Sequence, residues 1–234
     1  MAFADGYAVQ ECWSSPVTVD GKWTTPDEAW CTAVEGISLA RFGTPQKGLF
    51  VFLCDTANAY APQVLVEFAD STNDPGDIIQ VCINGGTETS APTADDFKIE
   101  IQGLTTKKVY AGTGTGWAES ATALAAVTMA ATRTTSAHDP APHVIAEFII
   151  SKATLASWGG NAPPQGLRIA CYDASTGVWT SWPPASSADV SSTWGQNSTY
   201  TTETPEGLTI GIMLLVSSVA VVVSIRYFRK PPKL

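Results

Sequence analysis

The chain has 234 residues, 44% of them hydrophobic and only 15% charged, with a formal net charge of −9. All 22 acidic residues precede residue 207 and four of the 13 bases follow it, which leaves nine bases against 22 acids, or −13, on the larger part. Such a surface repels polyanions, which excludes nucleic acid and anionic lipid as partners for that part, while its Val, Ile, Phe and Trp are enough for one sizeable core.

Residues 1–16 form an N-terminal segment. Met1-Ala2-Phe3-Ala4-Asp5-Gly6 reads as a mature terminus, so an export leader is expected to have preceded it. Cys12 and Cys31 flank a Trp-rich stretch, and a bridge between them would close a loop in an exported domain. The five cysteines show no C-x-x-C spacing, which disfavours zinc ribbons and thioredoxin-like sites. Cys54, Cys82 and Cys171 lie in apolar runs, where a thiol serves as a small core residue.

From 17 to 185 the pattern is one of short strands between turns. Apolar or alternating runs at 17–19, 37–42, 49–55, 63–68, 78–83, 97–101, 107–110, 144–150 and 167–172 predict strands. Gly, Pro, Asn and Asp punctuate them, as in Asn73-Asp74-Pro75-Gly76 and Gly85-Gly86. The Ala- and Thr-rich stretch 118–131 reads as strand or loop. The expected fold is all-β, an antiparallel two-sheet β-sandwich of jelly-roll type.

The next segments supply an anchor. Residues 186–207 are Ser- and Thr-rich with little apolar periodicity, and are expected to be an accessible stalk carrying the sequon Asn197-Ser198-Thr199. Residues 208–225 are continuously apolar apart from four hydroxyls; as a helix they would span about 27 Å, the thickness of a bilayer's hydrocarbon core. Arg226, Arg229, Lys230 and Lys233 follow, which puts the tail 226–234 in the cytoplasm and the large domain outside.

Candidate sites are few. Asp70, Asn73, Asp74 and Asp77 crowd one loop whose oxygens could bind Ca²⁺, although side-chain-capped turns have the same composition. Trp13, Trp23, Trp30, Trp158, Trp179 and Trp182 could supply stacking surfaces for sugar rings, or else pack the core. His138 and His143 lie five apart in a Pro-rich loop, a spacing unlike a metalloprotease's, and read as solvated. Asp95 and Asp96 are adjacent, so on a strand they would point to opposite faces. No arrangement of nucleophile, base or paired carboxylates points to an enzyme.

Two resemblances add to this reading. Val17-Thr18-Val19-Asp20-Gly21-Lys22 with Trp30, the strand Leu49-Phe50-Val51-Phe52-Leu53-Cys54-Asp55, and Ala146-Glu147-Phe148-Ile149-Ile150 followed by Gly166-Leu167-Arg168-Ile169-Ala170-Cys171-Tyr172-Asp173 resemble the family nine carbohydrate-binding modules and the related DOMON sandwiches. Ser151 stands where that family has Pro, and Ala29 separates Glu28 from Trp30. The resemblance implies a sandwich and sugar binding, and a DOMON-type haem site would require a pair such as Met129 and His143. Thr204-Pro205-Glu206-Gly207, the apolar run and the basic end resemble PEF-type sorting tails of archaeal surface proteins, which implies either a retained helix or cleavage near Pro205. The leading expectation is an exported, membrane-anchored, non-catalytic envelope or adhesion component that assembles with copies of itself through exposed strand edges. A surface-tethered carbohydrate-binding module is the alternative, and a haem or redox accessory domain the third.

Overall fold

A computed structural model describes residues 8–10, 12–14, 17–23, 30, 35, 38–55, 61–85, 89–151 and 166–198. All of them belong to one compact unit, Met1–Thr199. The expected membrane span 208–225, its basic tail, Cys31 and Trp158 lie outside the described residues. Among the described residues no helix is long and apolar enough to cross a membrane.

The architecture is the expected β-sandwich. The strands in chain order are β1 (Ala8–Gln10), β2 (Cys12–Ser14), β3 (Leu39–Phe42), β4 (Gly48–Asp55), β5 (Ala61–Phe68), β6 (Ile78–Asn84), β7 (Asp96–Gln102), β8 (Thr106–Gly112), β9 (Trp117–Glu119), β10 (Val127–Thr134), β11 (His143–Ile150), β12 (Gly166–Asp173), β13 (Val178–Trp182) and β14 (Gly195–Ser198). Sheet one runs β1-β14-β12-β6-β7-β8-β9, with β13 also on β12; sheet two runs β10-β11-β5-β4-β2, with β3 also on β4. The pairs are antiparallel except β1 with β14 and β2 with β4. Each sheet has one strand whose outer edge is shared: β12 gives its start to β14 and its end to β13, and β4 gives its start to β3 and its end to β2.

Alternation explains the core. Phe50 and Phe52 on β4, Val64 and Val66 on β5, and Ala146 and Phe148 on β11 face Val81 and Ile83 on β6, Ile99 on β7, and Leu167 and Ile169 on β12, all fully buried between the sheets. Burying each of the larger side chains is worth about 1.5–3 kcal/mol. Phe50 and Trp182 meet with ring centroids 4.9 Å apart, joining the sheets where β3 and β13 lie. On the opposite side Lys107 of β8 donates to the carbonyl of Met129 on β10.

Sheet two is covered on its outer face as well. All eight residues of β5 are buried. Leu49, Val51, Leu53, Leu65 and Ile145 pack there under Val17, Trp23, Trp30 and Leu39, a second and smaller core. The expected strand at 17–19 is instead irregular chain laid over this face. Glu147 holds it, accepting from the backbone N–H of Asp20 at 2.8 Å and Gly21 at 2.6 Å and from Trp30 Nε1 at 2.8 Å. Gly21 has φ +76°, and a Cβ there would meet the Ala131 backbone at 2.8 Å, so the close approach requires glycine.

Three other expectations are corrected. Residues 118–131 contain the short helix α1 (Ala121–Ala125), whose first turn is capped by the Ser120 hydroxyl accepting from Ala123 N–H at 3.1 Å, between β9 and β10. The boundary at 185/186 is not the end of the domain: Ser186, Ser191 and Trp194 are buried and β14 pairs with β12. The first part of the expected stalk is therefore sandwich, and Asn197 lies on β14 opposite Val9 of β1 instead of in a free spacer. His143 is only 2% exposed, contrary to its reading as a solvated loop residue.

Candidate functional site

The outer face of sheet one is polar where that of sheet two is apolar. Strand register places Tyr110, Lys98, Cys82 and Arg168 side by side across β8, β7, β6 and β12. The next row is Lys108, Glu100, Gln80 and Ala170, and the row beyond it ends on Tyr172 and Trp179. Hydrogen bonds join these residues into a ladder. Gln80 Nε2 donates to Glu100 Oε1 at 2.7 Å, and Arg168 Nη1 donates to Gln80 Oε1. Lys98 Nζ lies 3.8 Å from Glu100 Oε1, 4.3 Å from the Tyr110 ring centroid and 5.4 Å from that of Trp117. Burial, with the nearby carboxylates of Glu100 and Glu119, raises the Tyr110 phenol above its ordinary value, so the ring keeps its proton.

One end of the ladder is closed and the other is open. The segment after β13 folds back over Arg168, whose Nε donates to the Ser186 carbonyl and hydroxyl, each at 3.1 Å. It is pinned by Trp194 Nε1 on the Ser187 carbonyl at 2.7 Å and by Trp117 Nε1 on Asp189 at 2.9 Å. Away from it, the rings of Tyr172 and Trp179 lie 5.2 Å apart at 38°, and Trp179 is 46% exposed. An exposed indole backed by a second ring, on a sheet face that also carries carboxylate, amide and ammonium groups, is chemically suited to a polyhydroxylated ring. The indole offers an apolar face to C–H groups, and the polar neighbours offer both donors and acceptors to hydroxyls.

Of the expected sugar-stacking tryptophans among the described residues, only Trp179 is on this surface. Trp30, Trp23 and Trp182 are 0%, 7% and 5% exposed and are core residues, the first two over sheet two and the third between the sheets. Trp23 stacks on His138 with centroids 4.5 Å apart. Trp13 is on β2 and Trp158 lies outside the described residues. Tyr110, Trp117 and Tyr172 were not singled out by the sequence. Alternation in Lys98-Ile99-Glu100-Ile101 marks a polar outer face, but which rings border it is set by pairings across distant strands.

The acidic loop is rearranged relative to expectation. Asp70 and Asp77 come together, and they are joined by Asp173 from the end of β12, with carboxylate oxygens within 4.8 Å of one another. Asn73 is exposed, and Asp74 contributes its backbone N–H to Asp77 Oδ2 at 2.8 Å. Burial, with the Asp70 charge among the lesser causes, raises the Asp77 carboxyl above its ordinary value.

The other candidate chemistry is occupied or dispersed. Asp96 is buried and accepts from Asn84 Nδ2 at 2.5 Å and Thr93 N–H at 2.7 Å, which makes it a structural turn anchor; Asp95 is partly exposed. Met129 pairs with Phe148 and faces the space between the sheets, whereas His143 is on the other face of sheet two with Ile145 and Glu147. The two cannot share a haem iron. Cys54, Cys82 and Cys171 are buried, and burial pushes the Cys82 thiol up to about 11.

No family model and no curated protein matches this chain. Its fold is similar to that of a family 9 carbohydrate-binding module from Caldicellulosiruptor kristjanssonii in complex with glucose, with a TM-score of 0.53 at 15% identity, over 84% of this chain and 97% of the other. A structure of a module of the same family and organism, in complex with cellotriose, matches with a TM-score of 0.53 at 14% identity, over 84% of this chain and 95% of the other. The chain thus has a carbohydrate-binding-module-like β-sandwich fold.

Proposed function

We propose that this protein is a non-catalytic carbohydrate-binding module tethered to the cell surface. The observation that carries this reading is the exposed Trp179–Tyr172 pair beside the Lys98–Glu100–Gln80 ladder, on a fold similar to modules whose structures hold glucose and cellotriose. Tyr110 and Trp117 border the same face, Tyr110 on β8 lying three strand spacings from Tyr172 on β12, about 14 Å across the sheet. That leaves room between the two aromatic pairs for more than one sugar ring. In this reading Trp179 stacks on a ring face, Glu100 accepts from sugar hydroxyls, and Lys98 donates to ring or hydroxyl oxygens.

The tether is inferred from 208–225 and the bases after it, with the C-terminal tail inside; membrane is therefore a partner of the chain but not of the sandwich. Carbohydrate binding takes precedence over the self-assembling envelope component because the fold likeness and the exposed indole both favour a glycan.

A glycan array probed with the purified protein tests the reading. Binding to a defined set of glycans is expected, and Trp179→Ala should weaken it by tenfold or more, equivalent to about 1.4 kcal/mol. Array-wide silence, or binding indifferent to both Trp179→Ala and Glu100→Gln, would refute it. Protease added to intact cells should separately remove the large domain.

A further inference from the structure

We propose that Asp70, Asp77 and Asp173 form a site for a hard divalent cation, Ca²⁺ in preference to Mg²⁺, that ties the β5–β6 loop to the turn between β12 and β13. The three side chains each bring a carboxylate oxygen to within 4.8 Å of the others. Oxygens held at 2.3–2.6 Å from one Ca²⁺ span up to about 5 Å, whereas Mg²⁺, at 2.0–2.1 Å, demands a tighter octahedron.

The independent observation is at Asp70. Only 4% of this residue is exposed. Its Oδ1 accepts from Thr72 N–H at 2.8 Å and from the Thr72 hydroxyl at 2.9 Å, but its Oδ2 is buried with no hydrogen-bond partner. A buried carboxylate oxygen with no donor, beside two further carboxylates, is costly unless a cation, or a proton shared with Asp77, compensates it. No basic side chain does so: among the described residues, no Lys or Arg forms an ion pair with any of the three. Arg133 reaches the neighbourhood, yet its guanidinium is spent on the carbonyls of Asp70, Thr72 and Pro142.

The remaining contacts hold the ligands in place. Asp77 Oδ1 accepts from Ala174 N–H at 2.9 Å and its Oδ2 from Asp74 N–H at 2.8 Å. Asp173 Oδ1 accepts from the Ser175 hydroxyl at 2.6 Å and Thr176 N–H at 3.1 Å. Three carboxylates supply fewer oxygens than the six to eight that Ca²⁺ takes, so water completes the shell. The affinity belongs with extracellular modules, on the order of 0.1–1 mM.

The test is thermal melting of the full chain in detergent after chelation, with Ca²⁺ or Mg²⁺ then titrated from 1 µM to about 20 mM. Saturating Ca²⁺ should raise Tm by about 5 °C or more, and Mg²⁺ by much less. Asp173→Asn should abolish the Ca²⁺ shift without lowering Tm in chelator, because one of three crowded like charges is gone. Asn73→Ala should keep the full shift. Wild-type melting indifferent to Ca²⁺ would overturn the proposal whatever the variants do. So would a shift that survives Asp173→Asn, or an equal shift with Mg²⁺, either of which signals loose ion condensation on an acidic surface. None of these readings depends on glycan binding.

Discussion

The two sheets carry the same kind of residue on their outer faces and use it in opposite ways. Over sheet two, Trp23 and Trp30 belong to the irregular chain that seals the face, and the polar groups beneath it, Glu147, Glu67 and His143, are at most 4% exposed. On sheet one, Trp179 is 46% exposed, and Lys98 and Glu100 on the same face keep 17% and 15% of their side-chain surface. The difference arises from the covering segment. Residues 17–23 and Trp30 lie over sheet two with apolar side chains down and three donors on one carboxylate; the segment after β13 crosses sheet one on serines, from Arg168 on β12 to Trp117 on β9. An indole's role is therefore fixed by where its segment lies: in the chain laid over a sheet it is buried as core, and on a strand beyond such a cover it stays in water.

The largest effect that would break this comparison is on stability. Trp30→Ala should cost about 3–5 kcal/mol in urea unfolding, as large-to-small changes in sealed cores do. Trp179→Ala should cost less than about 1 kcal/mol, since much of the ring is already in water. Similar losses for the two would mean that the faces are not distinct. Next comes Glu147→Ala, which strands the N–H groups of Asp20, Gly21 and Trp30. A loss of about 2–4 kcal/mol is expected, with glycan binding at 10 °C unchanged, because the opposite sheet does not depend on the strap. A loss of binding as large as that of Trp179→Ala would show the two faces to be coupled.

Much of the sandwich was legible because its central strands alternate cleanly. Val64-Leu65-Val66-Glu67-Phe68 and Lys98-Ile99-Glu100-Ile101 each declare two faces, and β4, β5, β6, β7, β11 and β12 fall where the alternation puts them. The edges were not legible. β14 and the segment before it carry Ser, Thr and Gly, and they are held by hydroxyl and carbonyl bonds such as Thr89 N–H to Ser191 Oγ at 2.9 Å, which leave no apolar period. Sites that depend on long-range pairing were half read. Trp179 and the Asp70–Asp77 loop could be picked out locally, but Asp173 joins that loop from almost a hundred residues away, and Tyr110 joins the face of Tyr172 from 62 residues away. Glu67 and His143 were hidden for the opposite reason: a polar residue in an alternating strand or a Pro-rich loop is read as a solvent-facing one, and here the chain over sheet two buries both.

That buried pair gives the smallest effect. His143 Nε2 lies 3.5 Å from Glu67 Oε2, and its Nδ1 donates to the Ala141 carbonyl at 2.8 Å. Burial alone pulls the imidazole pKa down, but the Glu67 carboxylate, the Ala141 carbonyl and the charge of Asp139 outweigh it, and the net shift is upward. Arg41, Lys47 and His138 line the same cavity of about 130 Å³, and the net shift beside them stays upward. Because the folded state holds this proton more tightly than the unfolded chain, the pair's contribution is complete below the unfolded pKa of about 6.5 and fades as pH rises through the folded value. Urea midpoints of the wild type should therefore fall from pH 6 to pH 8 more steeply than those of Glu67→Gln, where the charge favouring the imidazolium is gone. Parallel profiles for the two proteins would show His143 neutral throughout, and the outer face of sheet two would then be sealed against charge as well as against water.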